Sequence, residues 1–273
     1  MRLITNPNAL LIWLICLFAL LNHAYLGAPK PMSSIPIKTV IIDPGHGGRD
    51  PGAVGKKYYE KYLTLNVALK LKSVLEEQLP GVKVELTREN DHFVPLYKRA
   101  KIAQEKEGTF FISIHCNAAV DRSVFGTETY VMGFNHGQEN YETVVAENQS
   151  ILFEDDHQDM YGGFDPRSAE GYIYFKLLKN AFRKESTLLA ENMQDEYREY
   201  SGRIDRGVKQ GPFVVLYLAG MPAVLSEIGF ISNSREETFI ASEAGQMYIA
   251  TSIYRAIKTY NTSFKADPKI GER

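Results

Sequence analysis

Four side chains in this sequence have types and placements that could act together: His46, His115, Glu60 and Glu227. His46 lies in Asp43-Pro-Gly-His-Gly-Gly48, directly after a short apolar run, and His115 lies in Ser113-Ile-His-Cys-Asn117 at the end of another. Glu227 closes a third apolar run in Ser226-Glu-Ile-Gly229, and Glu60 opens an amphipathic segment. Two imidazoles and a carboxylate from separate elements suit one Zn2+ ion, which at catalytic sites takes three protein ligands and leaves a fourth position open. His46, Glu60 and His115 are the expected ligands. Water activated at such a centre can attack an amide, and a second carboxylate is then needed to move the proton to the leaving amine. Glu227 is the candidate for that role. Each residue alone also has a plainer explanation: a loop histidine, a core histidine, or an acid favoured by a helix dipole. Glu227 is the hardest to explain away, because Val224, Leu225, Ile228 and Phe230 surround it and a buried carboxylate is costly without a partner. The other histidines, His23, His92, His136 and His157, are not placed at strand ends in this way.

The elements that must carry these residues follow from the hydrophobic pattern. Short β-branched or apolar runs at Lys38–Asp43, Val82–Leu86, Phe110–Ile114, Thr127–Val131, Phe213–Leu218 and Ala223–Ile228 read as strands. Leu63, Val67, Leu71, Leu75 and Leu79 recur at helical spacing, so Glu60–Leu79 reads as a helix ended by Pro80-Gly81. Further helices are expected at 95–106, Glu139–Leu152, Gly171–Tyr200 and Arg235–Tyr260. Alternating strands and helices predict an α/β fold around a mostly parallel sheet. Open sheets of this kind bind ligands at the carboxyl ends of their strands, which is where His46, His115 and Glu227 fall.

Composition narrows the function. A net charge of −2 with lysines scattered among acids gives no basic stripe, so nucleic acid is not an expected partner. The apolar run Ala9–Leu21 is short for a membrane span of about 20 residues but suits the core of a signal peptide, with an uncleaved N-terminal anchor as the alternative. The chain is accordingly divided into a signal peptide at 1–28, a linker at 29–37, a domain at 38–262 with an insertion at about 134–170, and a polar tail at 263–273. The expected location is secreted or periplasmic, with no stable membrane span after cleavage. Cys16 would leave with the signal peptide, so Cys116 alone offers no internal disulfide.

The segments VIIDPGHGGRDPGAVG, EKYLTLNVALKLKSVLE, LTREND, FISIHCNA, RIDRGVKQGPFVVL and MPAVLSEIGFISN occur in one order from about Thr39 to Tyr260. In these motifs the chain resembles the zinc-dependent N-acetylmuramoyl-L-alanine amidase family, type 3 catalytic domain. The resemblance implies a single α/β domain with a central, mostly parallel six-stranded sheet flanked by helices on both faces. It also implies zinc on His46, Glu60 and His115, Glu227 as the catalytic carboxylate, and peptidoglycan as substrate, cut between muramic acid and L-alanine during wall remodelling or daughter-cell separation. Asn117 and Arg206 fall in family motifs and are candidates for supporting the site or the substrate groove. Two other readings share these residues: a different zinc peptidase acting on wall peptides, and an inactive peptidoglycan-binding protein.

Two features depart from the family pattern. Cys116 stands where many relatives have alanine, and strand alternation turns it away from His115. The 134–170 insertion is long, and some family members carry a helix there that plugs the groove with an acid on the zinc. Its acidic run has two readings: a solvated acidic loop, or an autoinhibitory contact from Glu154, Asp155 or Asp156, which would imply an activating protein partner.

Overall fold

The computed structural model of the protein describes residues 35–133, 138–161, 165 and 182–265. The expected signal peptide, most of the linker, the start of the helix expected from Gly171 and the end of the polar tail lie outside the described residues. Six strands form one sheet: β1 (Thr39–Pro44), β2 (Lys83–Leu86), β3 (Phe110–Asn117), β4 (Thr127–Met132), β5 (Asp205–Gly211) and β6 (Ala223–Phe230). Their order is β2-β1-β3-β6-β4-β5, and every neighbouring pair is parallel except β4 with β6. The expected α/β class and mostly parallel six-stranded sheet are therefore present.

Period-two alternation along the strands sorts side chains onto two faces. Val40, Ile42, Phe110, Ile112, Ile114, Cys116, Val224 and Ile228 pack into one core with α1 (Glu60–Gln78), α5 (Arg183–Glu199) and α8 (Glu243–Lys265). Ile41, Phe111, Ala223 and Leu225 pack into the other, with α2 (Leu96–Glu105), α3 (Gln138–Asn148) and α6 (Val214–Ala219). On α1 the inward stripe is Leu63, Val67, Leu71 and Leu75, four residues apart and all buried. Burying each such side chain contributes roughly 1.5–3 kcal/mol relative to exposure. Because both faces are covered, strands such as β3 and β6 are buried along their whole length.

Three expectations are corrected. The run Phe213–Leu218 is not a strand: Val214–Ala219 forms α6, closed by Gly220 in the left-handed region at φ +68°. A short apolar run without polar interruption has no period to distinguish strand from helix. The missing strand is β5, whose sequence DRGVKQG is polar because it lies at the sheet edge and is only half buried. The closing helix is two helices, α7 (Ser234–Ala241) and α8, broken at Ser242, whose hydroxyl accepts from the Gly245 N–H as an N-cap. The insertion carries α3 followed by a 3-10 turn at Gln149–Phe153 and the short α4 (His157–Met160).

Register aligns the reactive segments. Asp43 pairs with Ser113, His115 with Glu227, and Glu128 with Glu227. The carboxyl ends of β1, β3 and β6 thus meet at one rim, with β4 entering from the opposite direction beside them.

Candidate metal centre

The loop after β1 carries His46 in an unfavourable backbone conformation. Its φ is +60°, a region that costs a non-glycine residue free energy and persists only where the surroundings impose it. Two buried arginines impose it. Arg88 donates to the carbonyls of Pro44 (3.0 Å), Gly45 (2.7 Å) and Lys61 (2.8 Å). Arg99 donates to the carbonyls of Pro44 (2.7 Å) and His46 (2.7 Å) and to the Asp43 carboxylate (2.8 Å). Burial, with the nearby Arg99 charge, brings the Arg88 pKa down to about 10, which leaves it charged at neutral pH. Gly45 must lack a side chain, because a Cβ there would collide with the His115 ring.

Each imidazole is oriented by a hydrogen bond on its far nitrogen. His46 Nδ1 lies 2.9 Å from Asp50 Oδ2, so its Nε2 is left for the centre. His115 Nε2 lies 3.1 Å from Ser113 Oγ, which in turn donates to Asp43 Oδ2 at 2.7 Å. That chain of imidazole, hydroxyl and carboxylate leaves His115 Nδ1 for the centre. Glu60, the first residue of α1, is fully buried and accepts from the N–H groups of Ala53 and Cys116, both at 2.8 Å. Its oxygens also stand 3.1 Å from His46 Nε2 and 3.1 Å from His115 Nδ1.

A fourth ligand-type side chain joins them. Glu147 Oε2, on α3, lies 3.1 Å from His46 Nε2 and 2.7 Å from His115 Nδ1. One donor atom from each of His46, Glu60, His115 and Glu147 falls within 4.8 Å of the others. His46 Nε2, His115 Nδ1 and Glu147 Oε2 are buried yet make no hydrogen bond. The carboxylate oxygens are close, but they lie off the line along which a ring N–H would donate. Three orphaned donor atoms aimed at a common point are what a metal ion satisfies, so the group is compatible with a metal ion.

The electrostatics fit a cluster that needs a cation. Burial opposes charge on both imidazoles, yet the facing carboxylates outweigh it: Glu60 and Glu147 raise the His46 pKa, and Glu147 and Glu60 raise that of His115 to about 10. Burial also opposes charge on Glu60, but His46 and His115 hold its carboxyl below the usual range. Glu227 differs. It is 0% exposed, and among the described residues neither of its oxygens meets a hydrogen-bond donor. Burial, then the Glu147 charge, push its carboxyl well above the ordinary value, with His115 pulling the other way.

The four residues singled out from sequence are therefore brought to one rim, while the acidic run of the insertion is used elsewhere. Glu154 accepts from the Leu96 N–H at 2.7 Å and from the Tyr161 hydroxyl. Asp155 pairs with Arg49 at the surface, and Asp156 receives the Tyr97 hydroxyl at 3.4 Å. The acid that reaches the imidazoles is Glu147, which sequence reasoning missed. A signal existed: Glu147 is three residues after Val144 and four before Ile151, both buried, so it falls on the inward stripe of its helix. Arg99, three residues after Leu96 and four before Ala103, carries the same signal on α2. Asn117 donates from Nδ2 to Glu128 at 3.1 Å, and Arg206 donates from Nε to Glu128 at 2.7 Å. Cys116 is fully buried in the core beneath α1.

The sequence pattern of the N-acetylmuramoyl-L-alanine amidase family matches residues 40–259. The chain is 30% identical over 225 residues to N-acetylmuramoyl-L-alanine amidase AmiC of Escherichia coli O6:H1, covering 81% of this chain and 52% of AmiC. With N-acetylmuramoyl-L-alanine amidase AmiA of Escherichia coli the identity is 28%, over 85% of this chain and 79% of AmiA. The chain thus spans about half the length of AmiC and most of AmiA. Among solved structures, the catalytic domain of CwlV, an N-acetylmuramoyl-L-alanine amidase from Bacillus (Paenibacillus) polymyxa var. colistinus, is 33% identical. It superposes with a TM-score of 0.60 over 82% of this chain and 98% of that one.

Proposed function

The chain belongs to the N-acetylmuramoyl-L-alanine amidase family, and from that premise we propose that it hydrolyses the amide between N-acetylmuramic acid and L-alanine in peptidoglycan with one Zn2+ ion. The observation that carries this reading is the convergence of His46 Nε2, His115 Nδ1 and Glu60 on one point beside Glu227. His46, Glu60 and His115 would hold the ion, which when bound supplies a Lewis acid that activates water and polarises the amide carbonyl. The chain's own groups do the rest. Asp50 and the Ser113–Asp43 pair keep the two imidazoles in the tautomers that point inward. Glu227 takes the proton of the attacking water and returns it to the departing alanine nitrogen. The C–N bond breaks, leaving a carboxylate on the lactyl group and a free amine on the peptide.

Glu147 would be a fourth ligand in place of the water that hydrolysis needs, so we read the arrangement as a closed state in which α3 plugs the centre. Opening it requires α3 to withdraw, and an activating protein partner is the proposed agent. Export by the Ala9–Leu21 segment and a part in wall remodelling or daughter-cell separation complete the reading. The test is hydrolysis of purified peptidoglycan, scored by the appearance of N-terminal alanine. Activity that survives exhaustive chelation, or products lacking free alanine amines, would overturn it; the second outcome favours a different wall peptidase.

A further inference from the structure

Beyond the metal centre, the same groove holds a second charged group that the hydrolytic chemistry does not use. Arg206 and Lys209, both on edge strand β5, converge on a single oxygen of Glu128: Arg206 Nε at 2.7 Å and Lys209 Nζ at 2.6 Å. The other Glu128 oxygen accepts from the Tyr130 hydroxyl at 2.7 Å and from Asn117 Nδ2 at 3.1 Å. Glu128 is buried and all its partners are donors, so burial's tendency to neutralise it is overcome by Arg206 and Lys209 and it stays ionised. At Glu128 itself two cations face one carboxylate, a local positive excess in a groove that Asp121, Glu142 and Glu147 line further along. That excess is not hidden: the Arg206 side chain is 30% exposed, and both cations line a groove of about 600 Å³ that also reaches His46 and Glu147. Arg206 spends only Nε on Glu128, and its guanidinium lies 5.1 Å over the Phe230 ring. Among the described residues its two terminal nitrogens meet no acceptor. A guanidinium held at Nε and against a ring, with its fork open to a groove, is preorganised for a second carboxylate.

We infer that Arg206, supported by Lys209, binds a free carboxylate of the stem peptide and so sets which stems are cut. This rests on the amidase reading. In the bond to be cleaved the lactyl carboxyl is already tied up as an amide, so the free carboxylates of the intact substrate lie on the peptide. The position agrees. Glu128 pairs across the sheet with Glu227, with roughly 5 Å between their backbones, so the carboxylate that holds Arg206 and Lys209 stands on the strand next to the proposed proton-transferring group. One residue of extended chain covers roughly 3.3–3.6 Å, so a carboxylate on the residue after alanine is within reach of the fork.

The test compares a muramoyl-L-alanyl peptide whose second residue bears a free carboxylate with its primary amide. Wild type, Arg206→Gln, Arg206→Lys and Lys209→Gln are assayed, and binding of the two corresponding released peptides is measured by calorimetry. Wild type is expected to prefer the acid by about 10-fold or more, the size of one charge-assisted contact. Arg206→Gln is expected to bring the acid-to-amide ratio near one, through KM. Arg206→Lys, which keeps charge without the fork, is expected to recover part of the preference. Equal binding of acid and amide to wild type overturns the assignment, as does a preference that survives in both Arg206→Gln and Lys209→Gln. The peptide-binding ratio decides this even where the closed wild type turns over neither compound; no turnover by zinc-loaded Glu147→Ala either would count against the amidase reading instead.

Discussion

Glu227 shows how much a single side chain can reveal when its partners are counted. It sits fully buried within β6, three residues before the strand's end, with no donor in reach among the described residues, a state that isolated carboxylates avoid. Its in-register neighbours are His115 and Glu128, so it lies beside the proposed metal centre. Replacing it with glutamine removes the proposed proton acceptor but none of the proposed metal ligands. Glu227→Gln is expected to retain stoichiometric zinc, measured by elemental analysis, and to lose turnover by about 10²-fold or more. A variant with full activity would remove Glu227 from the mechanism. Asp43 is the other residue whose accounting is complete: Arg99, Thr87 and Ser113 all donate to it. Burial opposes its charge, but Arg99 and the two hydroxyls hold its carboxyl below the usual value. A depressed folded-state pKa means that its contribution is complete above the unfolded carboxylate pKa of about 3.9 and is lost as pH falls through the lower folded value. Asp43→Asn leaves the Arg99 charge buried without its counter-ion. It is expected to cost about 3–5 kcal/mol of unfolding free energy at neutral pH and to flatten the acid limb of stability.

At the level of elements, the closed-state proposal turns on α3 and the turn after it. Glu147 brings α3 onto both imidazoles, and Ser150 follows by donating to Asp50. Glu154 then ties the segment to the body by accepting the Leu96 N–H at the start of α2 and the Tyr161 hydroxyl. Two variants separate plug from tether. Glu147→Ala removes the carboxylate from the centre and is expected to raise basal peptidoglycan hydrolysis about 10-fold or more, a coupling of the size typical of regulated sites. Unchanged activity in a folded, zinc-loaded Glu147→Ala protein would dismiss the closed-state reading. Glu154→Ala leaves the Leu96 N–H buried without an acceptor and is expected to cost about 1–3 kcal/mol. Amide exchange should accelerate in residues 149–161 before the sheet is affected; uniform destabilisation would show that Glu154 is no local tether.

The whole molecule supplies the rigidity on which these contacts depend. Two cores, one on each face of the sheet, lock β1, β3 and β6 in register, and the rim inherits that precision. Leu71, fully buried on α1, is remote from the centre along its helix, but α1 carries Glu60 at its first turn. Leu71→Ala is expected to lower unfolding free energy by about 2–5 kcal/mol, measured by denaturant titration, with zinc content of the folded fraction unchanged. Zinc lost from the folded fraction would mean that packing at Leu71 also sets the position of Glu60 at the other end of the helix. No helix among the described residues is long and apolar enough to cross a membrane.

Much of this was legible in the linear chain because local physics wrote it there. Strand alternation turned Cys116 away from His115, strand ends marked His46, His115 and Glu227, and the repeat of leucines on α1 placed Glu60 at a helix start. Where local signals are mute, only the folded chain decides. An apolar run such as Val214–Ala219 has no period, and a polar edge strand such as β5 has no buried face to advertise it. The identity of the acid on the imidazoles depended on which face of α3 meets the rim, a long-range packing result that the density of acids at 154–156 could not report. The shared burial of Glu128 between Arg206 and Lys209 likewise exists only once β4 and β5 pair side by side, because hydrogen bonds between strands bring together charges that the chain keeps about eighty residues apart.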